Sequence, residues 1–242
     1  MVVRVIIVLT NHKDGGPGWK TGWYLPEAAH PYHVFKQNGY QVTFASPLGG
    51  DAPMDPGSYQ DWKDKDDACR EFCKMCKING DDINLPNTVA LECLRPEMYD
   101  IMVCAGGHGP MWDFPDFQGA GKPERKSVVN KYMAAIYEKG GIVSAVCHGP
   151  AGIVDTKLSN GEYLVKGKEV TCFTNDEEDA MDKSKLMPFM LETRLIEHGA
   201  KFKRAKNWEC MVCVDNRVVT GQNPASASPM GEAIVKLQKA KE

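Results

Sequence analysis

The sequence predicts a doubly wound α/β fold, a mostly parallel sheet with helices on both faces. Three observations carry this. Val- and Ile-rich runs alternate with segments of helical period along the chain, the first run (residues 2–9) is apolar apart from Arg4, and several runs stop at glycines. A strand apolar on successive residues is buried on both faces, as in the interior of a parallel sheet. The 242 residues are within what one α/β domain fills, and suffice for a full core without disulfides or metals.

The elements follow in order. Residues 2–9 read as a central strand rather than a signal peptide, because the run is short, lacks a cleavage site and leads straight into Thr10-Asn11-His12. A helix over 27–37 stops at Gly39, and a strand over 41–45 stops at Ser46-Pro47-Leu48-Gly49-Gly50. The stretch 51–87 is charged and punctuated by Pro and Gly, with a helical centre near 66–76. It is expected to be an insertion or cap over the sheet edge within a single domain spanning 1–242. A strand over 101–105, a helix over 127–138 and a strand over Ile142–Val146 follow, and the last of these delivers the chain to Cys147. Beyond it lie a strand over 169–173, an amphipathic helix over 186–198 closed by Gly199, an alternating strand over 211–220 and a final helix over 229–239.

Composition narrows the function classes. Hydrophobic residues are 43% and charged residues 25% of the chain, as in ordinary soluble proteins, and the net charge is −3 with no basic stripe, which argues against a nucleic-acid partner. No run approaches the ~18 apolar residues a membrane helix needs, so a soluble cytoplasmic protein without a membrane partner is expected. The nine cysteines are then expected to be free thiols, and the question is which of them is reactive.

The informative segment is Val146-Cys147-His148-Gly149-Pro150-Ala151-Gly152. A buried strand ending at a nucleophilic residue, with small and turn-forming residues after it, is the nucleophile-elbow arrangement, here with cysteine. In open α/β sheets ligands bind beyond the carboxyl ends of the strands, where this thiol would lie. A helix beginning there would favour the thiolate through its dipole, and Gly149 would let the turn close. The competing reading is a buried core cysteine. Gly106-Gly107-His108-Gly109 forms a second glycine corner after a strand, whose backbone amides would face an oxyanion beside Cys147.

Five segments resemble motifs of the ThiJ/PfpI superfamily, closest to its branch of heat-shock chaperones and glyoxalase III. They are Thr21-Gly22-Trp23-Tyr24-Leu25-Pro26-Glu27-Ala28-Ala29-His30-Pro31, Ala45-Ser46-Pro47-Leu48-Gly49-Gly50 with Pro53-Met54-Asp55-Pro56, Gly106-Gly107-His108-Gly109-Pro110-Met111-Trp112-Asp113, Ala145-Val146-Cys147-His148-Gly149-Pro150, and Thr220-Gly221-Gln222-Asn223-Pro224-Ala225-Ser226. The resemblance implies a class I glutamine amidotransferase-like, flavodoxin-like three-layer sandwich. It implies Cys147 as nucleophile, Glu27 as the acid beside the sulfur, His148 as the following histidine, and an acid for that histidine within Asp176-Glu177-Glu178, of which Glu178 is preferred. Gly107 and the His148 amide, with Gly106 beside them, are the implied oxyanion donors.

The implied activity is a stress-related, glutathione-independent glyoxalase, a hydro-lyase of the D-lactate dehydratase type, converting methylglyoxal and water to lactate with no cofactor and as a homodimer. A holding chaperone, a protein deglycase and a cysteine peptidase or amidase are the alternatives. The expected chemistry has Glu27 neutral at rest, since a carboxylate beside a thiolate raises both pKa values. Zinc is set aside. Cys73 and Cys76 form one C-x-x-C pair and Cys210 and Cys213 another, but i and i+3 on a strand point to opposite faces. His12, His30 and His33 are scattered near the first helix, and His108 is read as satisfying loop carbonyls rather than lining the pocket mouth.

Overall fold

The computed structural model describes residues 2–80, 82–116 and 127–241. Its centre is an eight-stranded sheet ordered Val212–Asp215, Val218–Gly221, Ile142–Val146, Ile101–Cys104, Arg4–Val8, Gln41–Ser46, Asn84–Ala90, Gly50–Pro53. The inner strands are parallel, and the first and last pairs in this order are antiparallel.

Strand geometry sends successive side chains to opposite faces, and the first strand shows it. Val5, Ile7 and Leu9 belong to one apolar cluster and Ile6 and Val8 to the other. The first cluster is covered by the helices Leu25–Gln37, Asp67–Cys76 and Ala227–Lys239, which contribute Phe35, Phe72 and Ile234. The second is covered by Val128–Glu138 and Leu191–Glu197, which contribute Met133, Ile136 and Leu195. This is a three-layer sandwich.

The structure departs from the sequence reading in five places. The 51–87 stretch does more than cap the sheet: its ends enter the two strands at one edge of it, and the helices Pro56–Trp62 and Asp67–Cys76 lie between them in sequence, each capped by an aspartate side chain. The alternating run at 211–220 is a hairpin, not one strand. Asn216 takes the left-handed conformation (φ 55°) that Asn tolerates, and the chain reverses there between Val212–Asp215 and Val218–Gly221. The strand expected over 169–173 stops at Val170 and pairs with Lys201–Phe202 in a separate small sheet. Beyond it the backbone is turned toward the central sheet, with the Thr171 amide donating to Thr220 Oγ1 and the Phe173 amide to the Cys147 carbonyl. The helix expected over 186–198 begins only at Leu191, because Pro188 disfavours helical backbone at Met187, which is extended at ψ 140°. Lastly, only a 3₁₀ turn, Gly149–Gly152, follows Cys147, so no helix dipole of useful length points at the thiol.

Candidate active site

The strand Ile142–Val146 is buried throughout and ends at Cys147, a non-glycine residue at φ 60°. A left-handed backbone at such a residue costs about 1–3 kcal/mol and persists only where its surroundings hold it. Here the Cys147 amide donates to the Gly221 carbonyl at 2.9 Å and its carbonyl accepts from the Phe173 amide at 2.8 Å. Gly149 lets the turn close, because a Cβ there would lie 2.3 Å from the Cys104 carbonyl oxygen. The strain aims the thiol past the carboxyl end of its strand, with the residue only 5% exposed.

Glu27 sits in the first turn of Leu25–Gln37, fully buried. The Tyr24 amide donates to the Gly106 carbonyl at 3.0 Å and so locks this helix start against the glycine corner. At Gly106 a Cβ would fall 2.4 Å from Glu27 Oε2 and 2.7 Å from the Cys147 Cβ, so only glycine leaves room for acid and thiol together. Burial pushes the Glu27 carboxyl well above its usual range, opposed by the Cys147 thiol and the Gly106 and Gly107 amides directed at it. Neither carboxyl oxygen accepts a hydrogen bond of full geometry. Burial also pushes the Cys147 thiol up, and a charge on Glu27 would add to that; the Gly107 amide acts in the opposite sense. We read the pair as a neutral carboxyl beside the sulfur, because a charged Glu27 would be fully buried next to the thiol with no hydrogen bond of full geometry to its oxygens.

On the other side, His148 Nδ1 is 3.4 Å from Cys147 Sγ, and its Nε2 is 2.6 Å from Glu178 Oε2. Glu178 Oε1 is 2.9 Å from His108 Nε2. Burial pushes the Glu178 carboxyl up, but the His148 charge and the hydrogen bonds from both histidines outweigh it and hold the group well below the usual carboxylate range. His108 is lowered to about 4, first by burial and then by the neighbouring His148. The three acids of the 176–178 run thus separate. Glu178 faces His148, Asp176 is exposed and pairs with Arg204 at 2.8 Å, and Glu177 turns away to accept from the amides of Trp208 and Thr174 and the side chains of Gln222 and Asn223. His108 corrects the loop reading: it is buried, shares Glu178 and lines the cavity. Nothing in Gly-Gly-His-Gly announces that partner, since Glu178 is 70 residues away.

Among the described residues two groups have the donor types and spacing of a metal site, His108 with His148 and Glu178, and His30 with Asp66 and Cys69. In each the same atoms are in contact with one another: both Glu178 oxygens are taken by imidazoles, and His30 Nε2 lies 3.1 Å from Asp66 Oδ1. Neither C-x-x-C pair belongs to such a group among the described residues.

Cys147 and His108 line a cavity of about 700 Å³ with Trp19, Tyr24, Trp62, Phe173, Met181 and Trp208 among its walls. Trp62 Nε1 donates to the Tyr24 hydroxyl at 3.2 Å, and burial raises that phenol to about 12, so it stays neutral. Among the described residues no helix is long and apolar enough to cross a membrane.

A strained thiol at the carboxyl edge of a doubly wound sheet, under a cavity and between a buried acid and a His–Glu pair, places this chain in the class of α/β proteins with an elbow cysteine. The DJ-1/PfpI family profile matches residues 24–237, and the chain belongs to that family. It is 32% identical to Glyoxalase 3 of Candida albicans over 97% of this chain and 98% of that protein. It is 30% identical to the glutathione-independent glyoxalase HSP31 of Saccharomyces cerevisiae, with 93% of each covered. Among solved structures it is similar to glyoxalase III from Candida albicans (TM-score 0.79, 31% identity, 97% of each chain) and to the Rapid Encystment Protein 24 kDa of Francisella tularensis (TM-score 0.85, 32% identity, 98% of this chain and 99% of that one).

Proposed function

We propose that this chain is a glutathione-independent glyoxalase that converts a 2-oxoaldehyde, in the simplest case methylglyoxal, and water to the 2-hydroxy acid. The observation that carries the reading is the buried Cys147–Glu27 pair at the cavity, flanked by the His148–Glu178 pair. Full-length relatives bearing that activity in their names support it.

The sulfur of Cys147 adds to the aldehyde carbon, and the aldehyde oxygen, gaining a proton, becomes the hydroxyl of a hemithioacetal. A base removes the proton on that carbon, giving an enediol, and a proton returns to the neighbouring carbon. The former aldehyde carbon is thereby oxidised to a thioester and its neighbour reduced to an alcohol, with no external oxidant or reductant. Water then cleaves the thioester and frees the thiol.

Glu27, neutral at rest, supplies a proton when the aldehyde oxygen becomes negative and can take one back as carboxylate. His148, oriented by Glu178, is the second proton carrier, beside the sulfur at 3.4 Å. The Gly107 amide and the His148 amide are the assigned oxyanion donors, with the Gly106 amide directed at Glu27. No cofactor enters these steps. The same reading makes the protein a cytoplasmic homodimer of single-domain protomers, with 51–87 as an insertion.

The test is direct. Purified protein is given methylglyoxal without glutathione and lactate is followed; lactate formed by the wild type and lost in Cys147→Ala supports the assignment, and wild-type protein that forms none refutes it.

A further inference from the structure

The cavity over Cys147 is much larger than methylglyoxal. Five heavy atoms occupy on the order of 100 Å³, judged from the volume of water-sized groups in a liquid, whereas the cavity is about 700 Å³. Its walls are aromatic in a connected series. Phe173 lies 5.7 Å from Trp208 and 6.0 Å from His108, and His108 lies 4.9 Å from Trp19. With the aldehyde at Cys147, whatever the second carbonyl carries has this aromatic chamber to occupy.

Trp208 sharpens the point. It is 50% exposed, and its backbone is left-handed at φ 67°. A large side chain is rarely placed in that conformation unless its surroundings hold it. The hold is Glu177, fully buried, whose Oε1 accepts from the Trp208 amide at 2.9 Å while Gln222 Nε2 and Asn223 Nδ2 brace the same oxygen at 3.1 and 2.8 Å. The molecule thus fixes the backbone that carries an indole its own core does not cover.

Building on the glyoxalase reading, we propose that this chamber is an acceptor site for a flat aryl arm, that the preferred substrates are arylglyoxals rather than methylglyoxal, and that Glu177 is a positioning residue holding Trp208 as one wall. Stacking of an aryl group between aromatic faces adds to the burial of its apolar area. The reaction is the same in its balance: the sulfur adds to the aldehyde, the proton moves from the aldehyde carbon to the neighbouring carbon, and water releases the arylhydroxyacetate and the thiol.

The experiment compares kcat/KM for phenylglyoxal, read as mandelate, with that for methylglyoxal, read as lactate, in the full chain without glutathione. The wild type is expected to favour phenylglyoxal by at least about tenfold, the discrimination a shaped apolar pocket gives to a larger group. Trp208→Ala should lower the phenylglyoxal-to-methylglyoxal ratio about five- to tenfold through KM for the aryl substrate, Trp208→Phe should restore most of it, and Glu177→Gln should shift the ratio in the direction of Trp208→Ala. A wild-type ratio near one, or a Trp208→Ala change equal for both substrates, overturns the proposal. Binding of mandelate against lactate, followed by tryptophan fluorescence, reads the chamber without turnover. If neither aldehyde is converted yet mandelate binds at least about tenfold tighter, the reaction assignment falls and the aryl site stands; if the two acids bind alike, the aryl site falls.

Discussion

Glu27 and Glu178 are both buried carboxyl groups beside the same thiol–imidazole pair, yet their surroundings differ in kind. Around Glu27 there are a thiol, two backbone amides and the charge of Asp55, and burial pushes it up. Around Glu178 there are two imidazoles at 2.6 and 2.9 Å, and their attraction overrides burial. One carboxyl is therefore kept as an acid and the other as a carboxylate, though they are the same functional group. The difference teaches that the partner groups, two imidazoles in one case and a thiol with two amides in the other, and not burial as such, assign the roles: a neutral Glu27 can give a proton, and an ionised Glu178 can only orient and stabilise His148.

The comparison can be broken in order of effect. The largest is at the shared target. Cys147→Ala should bring product formation to background, while in the unliganded wild type brief iodoacetamide labelling with mass spectrometry should find the buried Cys147, its thiol pushed up, slower than the exposed Cys93 and Cys210. On the acid side, Glu27→Gln keeps a donor near the sulfur but removes the transferable proton. Turnover should fall about 10²–10⁴-fold while the rate of Cys147 labelling is not lowered. If labelling and turnover fall together, Glu27 sets the thiol pKa instead. On the carboxylate side, Glu178→Gln removes the charge behind His148, and kcat should fall about 10- to 100-fold, the worth of one charge-assisted hydrogen bond.

An effect of another kind, on stability rather than turnover, separates the two sides by pH. His108 is held at about 4 in the folded protein against 6.5 unfolded. Between these values the unfolded chain binds more protons, so stability rises with pH through the window and is lost as pH falls through it, by up to about 3 kcal/mol. Glu178, lowered on folding, adds a further loss below its unfolded range. Glu27 has the opposite sign. Raised on folding, it contributes stability only at low pH, and this is lost as pH rises through its folded value. Melting curves from pH 4 to 8 should therefore flatten at the acid end in His108→Asn, and the melting temperature of Glu27→Gln relative to wild type should increase with pH. A relative melting temperature for Glu27→Gln that falls as pH rises contradicts the raised carboxyl.

Much of this was legible in the sequence. The strand Ile142–Val146 running into Cys147-His148-Gly149, and Ile101–Cys104 running into Gly106-Gly107, place two corners at the carboxyl edge, because apolar runs ending in small residues have few other readings. Glu27 was reachable through motif resemblance alone, since an acid in a first helical turn otherwise only complements the dipole. Glu177 and Glu178 are adjacent on a short helix, and which of them faces His148 depends on the helix's rotation, which composition does not encode. His108 and Trp208 were missed for a related reason: each acquires its role from a partner far along the chain, Glu178 in one case and Glu177 in the other. The C-terminal Gln222-Asn223 pair looked like a loop signature and proves to be the brace on Glu177.

The central claim is that Glu27 is protonated at neutral pH while Glu178 is not. Infrared difference spectra of wild type minus each Gln variant at pH 7 measure this directly, because a protonated carboxyl has its own carbonyl stretch and the other raised acids, Asp55 and Asp155, cancel in the subtraction. The account predicts a protonated-carboxyl band lost in Glu27→Gln and unchanged in Glu178→Gln, whose loss instead removes an ionised-carboxylate band. A protonated band that survives Glu27→Gln, or that disappears with Glu178→Gln, would contradict it.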